Sequence, residues 1–227
     1  MAKLSVIVPM LNEASTIARA LAALRRGAAN AEIIVVDGGS GDASVAAARA
    51  IADTVIASPR GRARQMNAGA RVSTGAALTF VHADTIVPTT FAADIDEALS
   101  NPAIVGGRFD VQLDSNALAL RLIGAMISIR SRISRTGTGD QAIFVRREVF
   151  DRIGGFPDLE LCEDLDFTRR MKRAGGVACL RSRVITSSRR WTHDGIARTV
   201  LRMWSIRALY LLGVSPARLS RHYVDVR

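Results

Sequence analysis

Short apolar runs alternate with helical patterns over the first hundred residues of the chain. Continuous apolar runs are typical of strands covered on both faces, and they stand at 4–8, 32–36, 54–57 and 77–81. Between the first two runs, Ile17, Leu21 and Leu24 recur at helical spacing. Further helices are predicted at 42–51, at 62–72 and from Pro88 to about Leu99. This alternation predicts an α/β fold, with a mostly parallel sheet and helices on both faces.

Side chains that can cap helices precede two of these segments. Asn12 or Ser15 is predicted to cap the first helix, and Asp42 the second. The second half of the chain is less regular, with strands predicted at 104–113, 141–146 and 177–185 and helices at 117–131, 163–174 and 194–213. The simplest division is one domain over 1–192, with halves at 1–115 and 116–192, followed by a basic helical appendage at 193–227.

Positive charge is concentrated towards the C-terminus. The formal net charge is +10, and all but two of the 31 basic residues are arginine. Residues 1–115 carry 10 basic and 11 acidic side chains, whereas residues 167–227 carry 14 and 2. Such a field attracts phosphate, nucleic acid or an anionic membrane surface, and does not choose among them. The share of hydrophobic residues, 48%, predicts a folded core and excludes a disordered chain.

The chain carries few targeting features. Cys162 and Cys179 have no zinc-binding spacing, and two cysteines do not indicate a disulfide scaffold. The apolar run at 4–8 is broken by Pro9, which favours a strand over a signal peptide, and no apolar stretch is long enough to span a membrane. We expect a cytoplasmic protein, with peripheral attachment at the inner face of the membrane left open.

Polar side chains follow the predicted strands at the points where they end. Asn12 and Glu13 follow the first strand, Asp37 the second and Asp84 the fourth. Because the carboxyl ends of parallel strands meet at one edge of a sheet, these side chains are expected to converge. Three carboxylates there predict a polar small-molecule site that holds a metal.

Several of these positions have a simpler structural interpretation. Asp84 suits Mg²⁺ or Mn²⁺, but it could also cap the helix near Pro88. His82 could lie beside or on the metal, or be a structural histidine. The glycine-rich turn at 37–42 lacks the third glycine of a dinucleotide fingerprint and follows the second strand, so ordinary turn chemistry accounts for it.

Acidic and arginine clusters allow two interpretations as well. The acids at 163–166 open a helix, where they can complement its dipole or supply a general base. Arg60, Arg62 and Arg64 flank Gly61, and Arg189 and Arg190 follow the last predicted strand. Guanidinium groups bind phosphate oxygens as a bidentate fork, although most surface arginines are simply solvated.

Six segments together resemble the inverting, nucleotide-sugar-dependent glycosyltransferases of family 2. They follow the order and spacing of that family and stand at 5–13 (SVIVPMLNE), 35–40 (VVDGGS), 60–69 (RGRARQMNAG), 81–84 (VHAD), 154–156 (GGF) and 163–166 (EDLD). With the arginine-rich C-terminus, the pattern is most similar to a small bacterial subgroup called arsenosugar-biosynthesis or radical-SAM-associated glycosyltransferases. The resemblance implies the Rossmann-like GT-A fold, extended by C-terminal amphipathic helices.

The resemblance also implies a role for each matched residue. The nucleotide would be bound by Pro9, Asn12, Glu13, Asp37, Arg64, Asn67, His82 and Ala83. Asp84 matches the last acid of the DxD motif, which holds Mg²⁺ or Mn²⁺ on the diphosphate, and His82 replaces its first acid. Arg190 and Trp191 resemble the end of the QxxRW motif that binds the pyrophosphate, with Ser187 in place of glutamine. Asp164 matches the catalytic base, and the sugar or acceptor would contact Gly139, Asp140, Gln141 and Glu163.

The activity implied is metal-assisted, hexosyltransferase-like transfer from a nucleoside-diphosphate sugar, most commonly a UDP-sugar, to an acceptor hydroxyl of unknown identity. The alternative is a basic membrane-binding or nucleotide-binding module of the same fold without transferase activity. A predicted helix at 195–213, with Arg207 opposite Arg198 and Arg202, allows core packing, an anionic membrane contact or a homodimer. Aromatic residues make up only 5% of the chain, so no nucleic-acid partner is expected.

Overall fold

The structure, a computed structural model, describes residues 3–220, without the side chains at 193, 211, 217 and 220. Its strands are β1 (Leu4–Met10), β2 (Glu32–Asp37), β3 (Thr54–Ala57), β4 (Ala77–Phe80), β5 (Ile104–Leu113), β6 (Ile143–Arg146) and β7 (Gly176–Thr186). Its helices are α1 (Ile17–Gly27), α2 (Ser44–Arg49), α3 (Arg62–Val72), α4 (Phe91–Ser100), α5 (Leu118–Ser134), α6 (Arg147–Arg152), α7 (Glu163–Ala174), α8 (Arg189–Asp194), α9 (Ile196–Leu211) and α10 (Pro216–Ser220). A short 3₁₀ turn covers Gly139–Gln141.

The strands form one sheet in the order β3-β2-β1-β4-β6-β5-β7. Neighbouring strands are parallel, except that β6 runs antiparallel to both β4 and β5. The strand order reverses between β1 and β4, and a ligand cleft is expected outside the carboxyl ends of strands at such a point. The prediction of an α/β fold with a mixed, mostly parallel sheet is confirmed.

The sheet separates two apolar cores because successive strand residues point to opposite faces. On β1, Val6 and Val8 pack with α1, α2 and α4, whereas Ile7 packs with α3, α6 and α7. On β2, Ile33 and Ile34 divide in the same way. Continuous apolar runs in the sequence therefore correspond to strands buried on both sides.

The structure corrects several boundaries. The predicted helix at 194–213 is broken at Gly195, whose φ of +79° separates α8 from α9. The predicted strand at 141–146 begins only at Ile143, after the 3₁₀ turn. Residues 221–227 of the predicted appendage lie outside the described residues.

The predicted caps also differ. The N-cap of α1 is Thr16, which makes no side-chain capping bond, and Asn12 instead adopts a left-handed conformation with a φ of +53°. The N-cap of α2 is Ala43 and not Asp42, whose carboxylate accepts the backbone N–H of Ser44 from just outside the helix, and α2 ends at Arg49. The N-cap of α4 is Thr90, so Asp84 does not cap that helix.

Arginines tie the ends of several elements together through backbone carbonyl groups. Arg147 donates to the carbonyl oxygens of residues 70, 73 and 75, and Arg146 to those of residues 99, 101 and 104. Arg25, Arg132 and Arg170 make similar bonds at other loops. One guanidinium group presents five N–H donors, so it can satisfy several carbonyl groups that a helix or strand end leaves unpaired. Part of the positive charge is therefore structural.

Within residues 3–220, no helix has both the length and the apolar character needed to cross a membrane.

Candidate active site

A small cleft with a cavity volume of about 50 Å³ opens outside the carboxyl ends of β1 and β4. Its wall is built from the ends of these two strands and from one face of α3, and its lining residues are Pro9, Met10, Leu11, Glu13, Arg62, Gln65, His82, Ala83 and Asp84. The cleft lies where the strand order reverses, as the sheet topology predicts. The residues predicted from the first and fourth strand ends are thus brought together.

Two carboxylates of this cleft contact the guanidinium group of the same arginine. Arg189, at the start of α8, places Nη2 2.8 Å from Glu13 Oε2 and 3.5 Å from Asp84 Oδ2. Thr16 also donates to Glu13 Oε2, at 2.7 Å, which fixes that carboxylate. Glu13 and Asp84 therefore converge on a position that stabilises positive charge.

The same pair of carboxylates is suited to a hard divalent cation. Carboxylate oxygens are the ligands that Mg²⁺ prefers, and substrate phosphates and water usually complete its shell. Among the described residues there is no cluster of three or more His, Cys, Asp or Glu side chains able to hold a metal. Glu13 and Asp84 therefore fit an ion that is held jointly by the protein and a phosphorylated ligand. Arg189 contacts both carboxylates and places positive charge beside them.

The glycine-rich turn after β2 is fixed to the loop after β1. The Asp37 carboxylate accepts the backbone N–H groups of Gly39 and Ser40 and the Ser40 hydroxyl. Asn12 Oδ1 accepts the N–H of Gly41 at 2.9 Å. Both predicted nucleotide-binding residues thus shape the turn beside the cleft, and Gly39 supplies the positive φ (+95°) that the turn requires.

Gln65, which the sequence analysis did not single out, anchors the floor of the cleft. It is fully buried, and its Nε2 donates to the carbonyl oxygens of Met10 and Val36, each at 2.8 Å. These bonds connect α3 to the carboxyl ends of β1 and β2. The amide residue is visible in the sequence inside the string RGRARQMNAG, but its partners are backbone atoms that no side-chain pattern reveals.

We expect the substitution Gln65→Leu to lower the free energy of unfolding by about 1–3 kcal/mol, because two buried carbonyl groups lose a donor. Urea unfolding followed by circular dichroism measures this difference. Arg71→Gln, an exposed position on the same helix, is the control and should change stability by less than about 0.5 kcal/mol. An equal stability of both variants would contradict the anchoring role.

Arg64 and Asn67 lie in a second recess rather than in the cleft. That recess is bounded by Ser58, Pro59, Arg64, Asn67, Arg71 and Asp158. Arg64 Nε lies 2.8 Å from Asp158 Oδ1 in an exposed ion pair. Asn67 exchanges two hydrogen bonds with the backbone of Phe156 and so fixes the turn at 154–156. The structure does not bring these two residues together with Glu13 and Asp84.

Asp164 lies in the first turn of α7, where two backbone groups hold its carboxylate. The N–H of Gly139 donates to Oδ2 at 2.7 Å, and the N–H of Leu165 donates to Oδ1 at 2.6 Å. Burial raises the pKa of Asp164, and the Asp140 charge adds to the increase, against the two backbone hydrogen bonds and the Arg62 charge. A carboxyl group with a raised pKa is better suited to accept a proton near neutral pH.

Gly139 connects Asp164 to the cleft. A Cβ atom at Gly139 would lie 2.6 Å from His82 Nε2 and 3.8 Å from Asp164 Oδ2. His82, on the wall of the cleft, therefore packs directly against Gly139 and leaves no room for a side chain at that position. Gly139 in turn donates its N–H to Asp164, so this glycine lies between the wall of the cleft and the carboxylate predicted for base catalysis.

The other residues predicted for the sugar or acceptor surround this point. Gln141 is fully buried and donates to Phe109 O and Ser131 Oγ, so it holds the 3₁₀ turn in place. Glu163 is buried beside Asp164 at the start of α7. Asp140 has a buried oxygen, Oδ1, that no atom of the described residues contacts by hydrogen bonding.

Two arginines that the sequence analysis did not assign to the site face Asp164. Arg130 lies on α5 and Arg207 on α9, and the Asp164 charge acts on both. Burial lowers the pKa of each guanidinium group, and each group repels a neighbouring arginine. Arg207 donates to Thr136 Oγ1 at 3.3 Å, whereas Nε and Nη2 of Arg130 are buried with no hydrogen-bond partner among the described residues. Helices far apart in the sequence thus supply positive charge around the proposed base.

The two residues predicted for the diphosphate, Arg190 and Trp191, have different surroundings. Trp191 is buried against Leu113, Leu120 and Ile123, where it packs α8 onto α5. Arg190 is half-buried on the same short helix, and the neighbouring Arg189 makes the contacts with Glu13 and Asp84. The sequence analysis assigned Arg190 and Trp191 to the diphosphate, and the structure adds the adjacent Arg189 as a residue that contacts two carboxylates of the cleft.

A comparison with known protein families identifies the family of this chain. The family model described as "Glycosyl transferase family 2" matches residues 5–156, which include the whole cleft wall formed by β1, α3 and β4. A comparison with curated proteins gives no match.

Solved structures share the fold. The mannosyltransferase PcManGT from Pyrobaculum calidifontis, in complex with GDP-Man and Mn²⁺, has a TM-score of 0.69 and 20% identity over 100% of this chain and 66% of its own. S. aureus TarS 1–349 in complex with UDP-GlcNAc has a TM-score of 0.60 and 21% identity over 82% of this chain and 58% of its own. The chain therefore spans less than two thirds of either relative, and identities this low show similarity of fold alone.

Proposed function

Because this chain belongs to glycosyl transferase family 2, we propose that it transfers a sugar from a nucleoside-diphosphate sugar to an acceptor hydroxyl. The reaction would invert the anomeric carbon, with Asp164 as general base. We take a UDP-sugar as the first donor to test, and the arsenosugar subgroup as the part of the family to which the arginine-rich pattern is most similar.

The placement of a buried carboxylate next to the cleft carries this proposal. Asp164 and the cleft residue His82 both lie beside Gly139, which donates its N–H to Asp164. An acceptor hydroxyl bound at the edge of the cleft beside His82 would lie near the base on one side and the donor on the other. A single displacement needs this arrangement, because the nucleophile must be deprotonated while it attacks the donor.

The chemistry of the step uses the free acceptor positions of Asp164. Each carboxylate oxygen accepts one backbone N–H, and each keeps a second lone pair. Asp164 would take the hydroxyl proton as the acceptor oxygen forms a bond to the anomeric carbon. The bond from that carbon to the diphosphate oxygen breaks, and its electron pair leaves with the nucleoside diphosphate.

Negative charge that builds on the leaving diphosphate must be stabilised. Arg62 and Arg189 contribute guanidinium groups at the cleft, and Arg190 lies on the same helix as Arg189. Asp84 and Glu13 would hold Mg²⁺ or Mn²⁺ together with diphosphate oxygens. Such an ion supplies further neutralisation of the leaving group.

A thermal-shift screen tests the donor assignment directly. UDP, GDP and their sugar conjugates would each be added with and without Mn²⁺. We expect at least one nucleoside diphosphate to raise the melting temperature, and to do so more strongly with the metal. A protein that responds to no nucleotide is not a nucleotide-sugar transferase, and one that binds a donor without ever releasing nucleotide from it is a binding module of the same fold.

The pH dependence of turnover should reflect the environment of Asp164. Only its ionised form can accept a proton, so activity is lost as the pH falls through its pKa, which burial holds above the usual range of an aspartic acid. The charged or titratable groups that act on it are Asp140, Arg62, Arg130, Arg207 and Cys162. We expect the acid limb of the kcat/KM profile at a higher pH than an unperturbed aspartic acid would give, and in the Asp140→Asn variant we expect it at lower pH. An acid limb that does not move in this variant would argue against Asp164 as the titrating group.

A further inference from the structure

Helix α5 exposes its most apolar residues to solvent. Leu118 and Ile133 are 79% and 81% exposed, and the same face continues through Leu122, Met126 and Ile129. These positions recur at intervals of three and four residues, so they form a single stripe along the helix. The buried face of α5 instead contains Gly124, Ser128 and Ser131 beside two aliphatic residues. The helix therefore carries large apolar residues on its outward face as well as on its inward face, where a surface helix usually has polar residues outside.

Helix α9 also exposes large apolar residues. They include Leu201, Met203, Leu209 and Trp204, of which Trp204 is 65% exposed. Thr199 is buried on the side of the helix away from Leu201 and Trp204. An exposed tryptophan among aliphatic residues is typical of surfaces that contact a partner or a membrane interface.

The two helices are neighbours in the fold. Ile127 of α5 and Val200 of α9 pack against the same small apolar cluster, which contains Trp191. Arg207 of α9 also donates to Thr136, just beyond the end of α5. The outward-facing apolar residues of α5 and α9 therefore belong to adjacent elements. We call this set the apolar surface, and it consists of Leu118, Leu122, Met126, Ile129, Ile133, Leu201 and Trp204.

The charge of the two helices indicates which kind of partner fits this apolar surface. Neither α5 nor α9 contains an aspartate or a glutamate, and Arg121 and Arg198 are exposed on them, whereas their arginines at 130, 132, 202 and 207 are half-buried and interact with groups of this chain. A second copy of the chain would bring like charges together around the buried stripes. A bilayer that contains anionic lipids accepts both the apolar side chains and the flanking guanidinium groups.

We propose that α5 and α9 dock this protein on an anionic phospholipid membrane. The apolar surface would enter the boundary between headgroups and acyl chains, and exposed arginines such as Arg121 and Arg198 would bind lipid phosphates. Both helices are too short and too charged to span the bilayer, so they would lie in its plane. This proposal is independent of the transferase reaction, because it uses the outward faces of the two helices.

Vesicle co-sedimentation tests the proposal on the full chain. We expect binding to vesicles of phosphatidylcholine with phosphatidylglycerol, weaker binding to phosphatidylcholine alone, and release at high salt. The double variant Leu122→Ser/Ile133→Ser should reduce partitioning at least about tenfold, because two exposed apolar side chains no longer enter the membrane. Val72→Ser, which removes a half-exposed apolar residue on α3, is the matched control and should bind as the unchanged chain does.

Tryptophan fluorescence provides a second measurement. The emission of Trp204 should shift to the blue when anionic vesicles are added, whereas Trp191 is already buried. Trp204→Phe should abolish the shift. Failure to bind either kind of vesicle overturns the proposal, as does binding that is insensitive to lipid charge. A dimer in analytical ultracentrifugation that Leu122→Ser/Ile133→Ser dissociates, in a chain that does not bind vesicles, would assign the apolar surface to a second copy instead.

Discussion

Replacing Asp164 with asparagine is expected to reduce turnover about 100-fold or more while donor affinity changes little. The amide cannot take a proton from the acceptor, but it is nearly the same size and keeps one oxygen to accept a backbone N–H. Because the acceptor is unidentified, release of nucleoside diphosphate from the donor, with water as acceptor, serves as the measurement. Titration of the donor by calorimetry provides the affinity.

Asp166→Asn is the matched control for this experiment. Asp166 lies one half-turn further along α7, and its carboxylate pairs with Arg170 and Tyr210 rather than facing Gly139. It should retain turnover within about threefold, since it contributes to stability and not to the proton transfer. Near-normal turnover in Asp164→Asn, with the donor still bound, would remove Asp164 from the proposed mechanism.

The second large effect is expected at the cation site. Asp84→Asn should abolish most of the improvement in donor binding that Mn²⁺ provides, by about tenfold or more. The substitution leaves only the Glu13 carboxylate beside the shared cation position, and a neutral amide is a weak ligand for a hard ion. Calorimetric titration of a UDP-sugar, with Mn²⁺ and with a chelator, measures the difference.

Asp94→Asn controls for the loss of one negative charge. Asp94 lies on α4 and interacts with Thr90 in an exposed position, away from the lining of the cleft. Its donor affinity should respond to Mn²⁺ as in the unchanged chain. If Asp84→Asn also keeps its full response to Mn²⁺, the metal assignment is wrong even if the chain binds nucleotide.

The order of elements could be predicted because buried parallel strands leave a distinct signature in the sequence. The runs that became β1 and β2 are continuous rather than alternating, since both of their faces contact helices. Strand direction leaves no such signature, so the antiparallel orientation of β6 could not be recognised from its four residues, three of which are apolar or aromatic. The break at Gly195 was missed for a related reason, because one glycine in an apolar stretch is compatible with a continuous helix.

The residues of the candidate site also fall into those that the sequence could predict and those that it could not. Residues at strand ends, such as Glu13 and Asp84, could be predicted to converge because sheet topology alone brings them together. The contribution of Arg130 and Arg207 could not, since it depends on how α5 and α9 pack in three dimensions. The exact reach of Arg189 and the separate recess of Arg64 likewise depend on side-chain direction, which sequence spacing does not determine.

The arginines that bind backbone carbonyl groups have a consequence for substitution. Arg146 and Arg147 each join three carbonyl groups at loop ends. A lysine offers one ammonium group on a flexible stem, which cannot span three carbonyl groups held apart in this way. The arginines at these two positions therefore cannot be exchanged for lysine without leaving carbonyl groups unpaired, so a change that conserves charge would still loosen the loops that these residues join.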